Sequence, residues 1–339
     1  MQLDDLHVRG HDDGTYTAVW GPFLLKSGYQ PIFRMNDGPA RIGAFEALCR
    51  PFRSGAPSSP GKFFPLVPKD EGFLVELQTR AVHVLNASSV LHGNEWLFLN
   101  FDPSMFNSRA SVETALDILD ETLTMAGVGR ERIVCEVTEH RTEEQQLMTL
   151  VGQMRQRGFK IAVDDYGADD SDMARVRKLS PDIIKFDAFW ITRLMDSGTA
   201  GAELLKEMVR TFREQGILTL FEGIEHGWQL DLAVDCHVEF VQGFVLARPQ
   251  TVPVSFSEFR PKNAKLAETI HPATSMSQPT PTSSLDAWER EISALMDEAP
   301  SLVEERPQQV PVERAEPRRL EAAPAAPMRR TAVFGRRGL

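Results

Sequence analysis

The sequence predicts an α/β fold: a closed, TIM-like (β/α)8 barrel whose first strand runs antiparallel to the rest, followed by a disordered tail. Three observations carry that expectation. Strand-like segments recur from Tyr29 to Phe244, helical spacing fills most of the gaps between them, and apolar periodicity vanishes beyond Phe259.

The strand candidates, in order, are Tyr29–Arg34, Ile42–Cys49, Glu95–Phe101, Ile133–Thr138, Phe159–Asp165, Asp182–Phe186, Ile217–Glu222 and Glu239–Phe244. The first two are separated by Asn36-Asp37-Gly38, a hairpin turn signal, so they pair antiparallel. After them strands and helices alternate, which implies parallel pairing through right-handed crossovers. Phe73, Leu74, Leu77, Ala81 and Leu85 mark one helix by their 3.6-residue spacing; Leu147, Leu150, Val151 and Met154 mark another.

The tail is rich in Pro, Ser, Thr, Ala and paired arginines, a composition that cannot bury a core. Within it Leu285, Trp288, Ile292, Leu295 and Met296 fall on one face of a short helix over 284–297, with Ser284 placed to cap it. The expected divisions are an N-terminal extension over 1–20, a barrel over 21–259 and the tail over 260–339.

The formal charge of −11 comes from 37 basic and 48 acidic side chains. Eleven of each lie after residue 261, so the whole imbalance belongs to the folded part. So acidic a surface repels a polyanion and argues against sequence-specific nucleic-acid binding. Cys49, Cys135 and Cys236 form no CxxC pair and read as buried free thiols of a reducing compartment. No run approaches the roughly 18 apolar residues of a membrane span, and Met1–His11 is polar, so a cytoplasmic location is expected.

Function in such a barrel collects at the carboxyl ends of the strands. Polar residues interrupt or end the apolar strands there: Glu46, Asn100, Glu136, Asp164 with Asp165, Lys185, Glu222 and Gln242. Taken alone, the aspartate pair before Gly167 reads as a turn or helix cap, and Lys185 as a solvated strand end. Glu46 and Glu136 resist that treatment, because a carboxylate inside an apolar strand needs a partner or a metal. Five carboxylates at one mouth repel each other unless cations lie between them. Oxygen-only donors suit Mg²⁺ or Mn²⁺ better than Zn²⁺. Two ions about 3.5–4 Å apart are the arrangement that cleaves phosphodiesters.

These residues resemble the EAL family of cyclic-di-GMP phosphodiesterases over about 220 of the 339 positions. Tyr29-Gln30-Pro31-Ile32 is similar to the family's opening strand, and Glu46-Ala47-Leu48 is its name-giving tripeptide. Leu99-Asn100-Phe101, Glu136-Val137-Thr138-Glu139, Val163-Asp164-Asp165-Tyr166-Gly167, Ile184-Lys185-Phe186-Asp187, Glu222-Gly223-Ile224-Glu225 and Val241-Gln242-Gly243-Phe244 follow in the family's order.

The resemblance implies roles. Glu46, Asn100, Glu136 and Asp164 hold one Mg²⁺ or Mn²⁺, and Asp164, Asp165 and Glu222 hold a second. Glu46, Lys185, Glu222 and Glu225 form the catalytic set, with Lys185 orienting the attacking water. Gln30, Arg50, Gln242 and Pro249 contact substrate, and Glu139 anchors the loop after the aspartate pair. The implied reaction opens cyclic di-GMP to linear pGpG.

One departure stands out. After the aspartate pair the family usually reads Phe-Gly-Thr-Gly, whereas here the chain reads Tyr166-Gly167-Ala168-Asp169-Asp170-Ser171. A receptor that binds cyclic di-GMP without cleaving it, signalling through a protein partner of the tail, is therefore the leading alternative. A carboxylate barrel acting on a sugar or enol substrate is a more distant one. A homodimer through the altered loop is a further expectation of the resemblance.

Overall fold

A computed structural model describes residues 3–35, 40–137, 144–166 and 172–254, leaving aside the side chains of Asp4, Asp165 and residues 172–175. The chain divides at Ala299/Pro300 into two units, and every described residue belongs to the first. The expected turn at Asn36-Asp37-Gly38, the anchor Glu139, the altered loop over 167–171 with its dimer expectation, and the tail with its helix over 284–297 lie outside the described residues.

Three strands open the chain as an antiparallel meander: β1 (Val8–Gly10), β2 (Tyr16–Trp20) and β3 (Phe23–Arg34). β4 (Arg41–Arg53) then returns along the whole of β3. A two-residue strand, β5 (Ala56–Pro57), folds back on β4, and α1 (Pro60–Phe63) and α2 (Lys69–Leu85) follow. From there the order is β6 (Trp96–Phe101), α3 (Arg109–Ala126), β7 (Ile133–Val137), α4 (Glu144–Gln156), β8 (Lys160–Tyr166), α5 (Asp172–Leu179) and β9 (Ile183–Asp187). Two helices, α6 (Ala188–Met195) and α7 (Thr199–Glu214), precede β10 (Leu218–Glu222); then come α8 (Gly227–Asp235), β11 (Phe240–Val241) and β12 (Gln250–Thr251).

Pairing runs β3-β4-β6-β7-β8-β9-β10-β11 and closes antiparallel from β11 back to β3. Every pair from β4 through β6 to β11 is parallel, and β3 is antiparallel to both its neighbours. This is the expected closed barrel of eight strands with its first strand reversed.

Three boundaries differ from the sequence expectation by more than one residue, and one of them is the end of β4, which runs on to Arg53 instead of stopping at Cys49. The first strand begins at Phe23 rather than Tyr29, because its amino half pairs with β2 on one side and with Arg50–Arg53 of β4 on the other. The last barrel strand shrinks to Phe240–Val241: Gln242 still donates its backbone N–H to Phe221 O at 2.8 Å, and the chain then turns away, with the Gln242 carbonyl accepting from Ile224 N at 3.0 Å.

The interior of the barrel is one apolar layer with a residue from each strand: Ile32, Ala44, Phe98, Val134, Ala162, Ile183, Leu220 and Phe240. All are buried, so the lumen is a plug and not a pore. Outside it, Leu97, Leu99, Ile133, Cys135, Ile161 and Val163 face α2, α3 and α4, while Ile184, Phe186, Phe221 and Val241 face α6, α7 and α8. Strand side chains alternate with period 2, so each barrel strand feeds both layers. Cys49, Cys135 and Cys236 are buried free thiols. Among the described residues no helix is long and apolar enough to cross a membrane.

His83, on α2, is buried beside Ser27 Oγ at 3.0 Å, and its carbonyl accepts from Tyr29 OH at 2.5 Å. Burial, helped by the Arg50 and Arg80 charges, holds its imidazole down at about 3. The unfolded chain therefore takes up this proton near pH 6.5 while the native state does not, and stability falls as pH drops through that window. From pH 7 to pH 5 the loss is about 2 kcal/mol. Urea unfolding at the two pH values should show wild type losing about 2 kcal/mol more than His83→Gln. Equal losses in the two proteins would rule the histidine out as the cause.

Candidate active site

Moving two residues toward the carboxyl end from each member of the apolar plug reaches Glu46, Asn100, Glu136, Asp164, Lys185, Glu222 and Gln242. On the reversed strand the same step reaches Gln30. Two residues is one repeat of a strand, so these eight form the next inward layer, and every one of them is polar. The site is therefore the polar storey directly above a closed hydrophobic floor.

Register fixes the neighbours: Gln30 lies opposite Glu46, Asn100 opposite Glu136, and the ladder between β8 and β9 breaks between Val163 and Tyr166, where the aspartate pair sits. Lys185 stands at the centre, 1 % exposed, with its Nζ 2.8 Å from Glu136 Oε1, 2.8 Å from Asp164 Oδ1 and 2.8 Å from Glu222 Oε2. Glu46 accepts from Gln242 Nε2 at 2.6 Å and from Asn100 Nδ2 at 3.4 Å.

The electrostatics are unbalanced. Glu46, Glu136, Asp164 and Glu222 offer four carboxylates against one ammonium. Burial pulls the lysine toward neutrality, but Asp164, Glu136, Glu222 and Glu46 outweigh it and hold the ammonium well above its ordinary range. Burial also drives Glu136 and Glu222 well above the carboxylate range; Lys185 opposes this, and the neighbouring acids reinforce it. Glu136 is fully buried, and its Oε2 receives no hydrogen bond; nor does Gln242 Oε1.

Buried acceptor oxygens without donors, on an oxygen-only set carrying excess negative charge, fit hard divalent cations. As the side chains stand, no three acids among the described residues close on a common point that could hold a metal, because the Lys185 ammonium lies between them.

The remaining sequence-derived candidates are placed unequally. Arg50 leaves β4 beside the site, its Nη1 donating to Cys49 O at 3.1 Å and its stem crossing Gly28, where a Cβ would come within 2.9 Å of Arg50 Cγ. Gln30 is 8 % exposed and donates to Ala247 O at 3.4 Å. Pro249 directly precedes β12, which pairs with β3 at Tyr29 and Gly28. Asp165 lies in β8, in the interruption of the ladder. Glu225 is not brought into the ring: it is exposed in the turn after β10, where its backbone N–H donates to Gln229 Oε1 at 2.9 Å. That turn packs tightly on the strand carrying Gln242, since a Cβ at Gly243 would meet Ile224 O at 1.9 Å.

Sequence reasoning missed Arg80. It is 4 % exposed, pairs with Glu76 one turn earlier, donates from Nη1 to Asn100 O at 3.2 Å and lies 4.2 Å over the Phe101 ring. It braces the strand end that presents Asn100. The available signal was an acid and a base four residues apart on the apolar face of α2. Beside the ring, a cavity of about 430 Å³ opens between Leu48, Arg50, Asn100 and Asp102 on the barrel side and Phe64, Val67, Pro68 and Glu76 on the other. Its size is that of an ordinary ligand site.

The EAL domain family model matches residues 24–249. The chain belongs to the EAL domain family. It is 26% identical over 257 residues to the uncharacterized EAL-domain containing protein YkuI of Bacillus subtilis, an alignment covering 72% of this chain and 62% of that protein. It is 28% identical over 231 residues to the probable cyclic di-GMP phosphodiesterase PdeG of Escherichia coli, covering 66% and 44%. Among solved structures, Klebsiella pneumoniae BlrP1 bound to manganese and cyclic di-GMP superposes with a TM-score of 0.58 at 26% identity, covering 68% of this chain and 57% of that one. YkuI bound to cyclic di-GMP and calcium gives 0.57 at 26% identity, with the same coverage of each. The EAL chain described here thus spans less than two thirds of each of these relatives.

Proposed function

We propose that this EAL domain is a cyclic-di-GMP phosphodiesterase that hydrolyses one phosphodiester bond to give linear pGpG. The observation that carries the reading is the closed polar ring: every barrel strand contributes a polar side chain to one layer, and half of that layer is carboxylate. The relatives bound to cyclic di-GMP with manganese or calcium support the same substrate and a divalent metal.

On this reading Glu46, Asn100, Glu136 and Asp164 hold one Mg²⁺ or Mn²⁺, and Asp164, Asp165 and Glu222 hold another. When bound there, such ions would supply a more acidic water for in-line attack and charge to offset the leaving oxygen. The chain's own groups do the rest. Gln242 and Asn100 fix the rotamer of Glu46 through hydrogen bonds, so its carboxylate is oriented before substrate arrives. Lys185, released from its carboxylates, donates hydrogen bonds to the attacking water and to charge developing on the phosphoryl oxygens. Arg50 and Gln30, at the rim, bind the non-bridging phosphate oxygens and the sugar edge. The apolar floor excludes water from below. Three buried free thiols support a reducing, cytoplasmic setting.

The test is product analysis of the full chain incubated with cyclic di-GMP and Mn²⁺. Linear pGpG is the expected product. Saturable binding of cyclic di-GMP without any pGpG would make the chain a receptor instead.

A further inference from the structure

The family match begins at residue 24, yet the chain before it is structured and packs beside the cavity wall. Trp20, the last residue of β2, donates from its indole Nε1 to Glu71 Oε2 at 2.7 Å, in the first turn of α2. Its ring meets Phe63 edge-on at 5.6 Å, and Phe23 meets the same ring at 5.0 Å. Phe63 is fully buried in a small core with Ala18, Phe23, Leu25, Cys49, Val75 and Val82. Its neighbour Phe64, 5.2 Å away, is 42 % exposed and lines the cavity.

The segment bearing these two phenylalanines has little structure of its own. α1 is four residues long, and Ser59 makes no side-chain cap. A single turn of helix is not stable alone, so its place is set by what holds Phe63. Two of those holders, Trp20 and Phe23, come from outside the family match.

We propose that Trp20 is a positioning residue for substrate: through Phe63 it fixes Phe64 and Pro68 as the wall against which one base of the cyclic dinucleotide packs. The inference rests on the functional reading above, because a phosphodiester at the polar ring puts one flanking nucleoside toward the cavity that shares Asn100 with it. Trp20 touches neither substrate nor the reacting atoms, so it acts on binding and leaves the chemical step alone. The cost of losing it is a wall free to move, which is paid at each binding event.

The experiment measures kcat and KM for cyclic di-GMP with Mn²⁺, and Kd with Ca²⁺, on the full chain. Trp20→Ala should raise KM and Kd about tenfold with kcat within about twofold of wild type. Trp20→Phe, which keeps ring contact with Phe63 but loses the donor to Glu71, should recover most of that loss. Leu6→Ala removes a buried side chain from a different core cluster and controls for general destabilisation: it should lower the melting temperature and leave KM and Kd unchanged. Unchanged KM and Kd in Trp20→Ala would overturn the proposal, as would an equal rise in Leu6→Ala. Should Trp20→Ala not fold, Trp20→Leu removes the ring contact with Phe63 while filling part of the space, and unchanged KM and Kd there overturn the proposal equally. Wild type that neither binds nor cleaves cyclic di-GMP would sink the functional reading itself, whereas an active wild type with indifferent Trp20 variants sinks only this inference.

Discussion

Lys185→Ala is expected to lower kcat for cyclic di-GMP on the order of 10²–10³-fold while leaving substrate binding within a few-fold of wild type. The reason is geometric. Nζ reaches three carboxylates that must present their oxygens to metal and phosphate. A donor fixed in a buried site needs no reorganisation when charge develops, and water admitted in its place cannot reproduce that. Lys185→Arg should not rescue, since a planar fork on a slot filled to 1 % exposure displaces Glu136 or Glu222. Steady-state kinetics with Mn²⁺, together with Kd for cyclic di-GMP, checks both. A variant that retained more than about a tenth of wild-type kcat would show the lysine to be a structural counter-ion only.

The second large effect concerns the metal. Mn²⁺ at about 100 times its Kd should stabilise the protein by about 2.7 kcal/mol, which for a domain of this size raises the melting temperature by roughly 5–10 °C. Excess EDTA should reverse it. Glu136→Gln keeps the shape of the side chain but withdraws the carboxylate whose Oε2 receives no hydrogen bond, so most of the gain should vanish. The gain should also grow as pH rises. Glu136 and Glu222 are held well above the carboxylate range, so protons compete with the ion; raising the pH strips those protons and costs the metal-free state its stability. Differential scanning fluorimetry across pH reads all three trends. A shift of equal size in wild type and Glu136→Gln would place any bound ion elsewhere.

Much of this was legible in the sequence, and the reason is periodicity. Strands such as Leu97-Phe98-Leu99-Asn100 and Ile183-Ile184-Lys185 announce themselves by apolar runs broken at a fixed point near the carboxyl end. Because each break falls one strand repeat above the apolar plug, seven of the eight ring members stand among the interruptions, and Gln30 on the reversed strand is the exception. What the sequence could not convey was the order of contact. That Lys185 would reach Glu136, Asp164 and Glu222 together depends on the stagger of β7, β8, β9 and β10, which no local pattern encodes.

Other elements were hidden for different reasons. β2 is five residues long and mixes Thr17 with Tyr16 and Trp20, so its alternation is too brief to separate from a loop. Its partner is the early half of β3, itself obscured by Lys26, Ser27 and Gly28. Arg80 and Glu76 look like an ordinary surface pair until the fold buries Arg80 beneath Asn100, with Glu76 half-buried beside it. Glu225, three residues past Glu222 in the same motif, lies beyond the strand in the turn after β10, exposed and outside the ring.

The most direct test is anomalous scattering from a crystal of the full chain grown with cyclic di-GMP and Mn²⁺. Two manganese peaks are expected, one bounded by Glu46, Asn100, Glu136 and Asp164 and the other by Asp164, Asp165 and Glu222, with the Lys185 ammonium moved off its three carboxylates toward the phosphate. Bound nucleotide with Lys185 still bridging Glu136, Asp164 and Glu222, and no manganese peak inside the ring, would contradict the account.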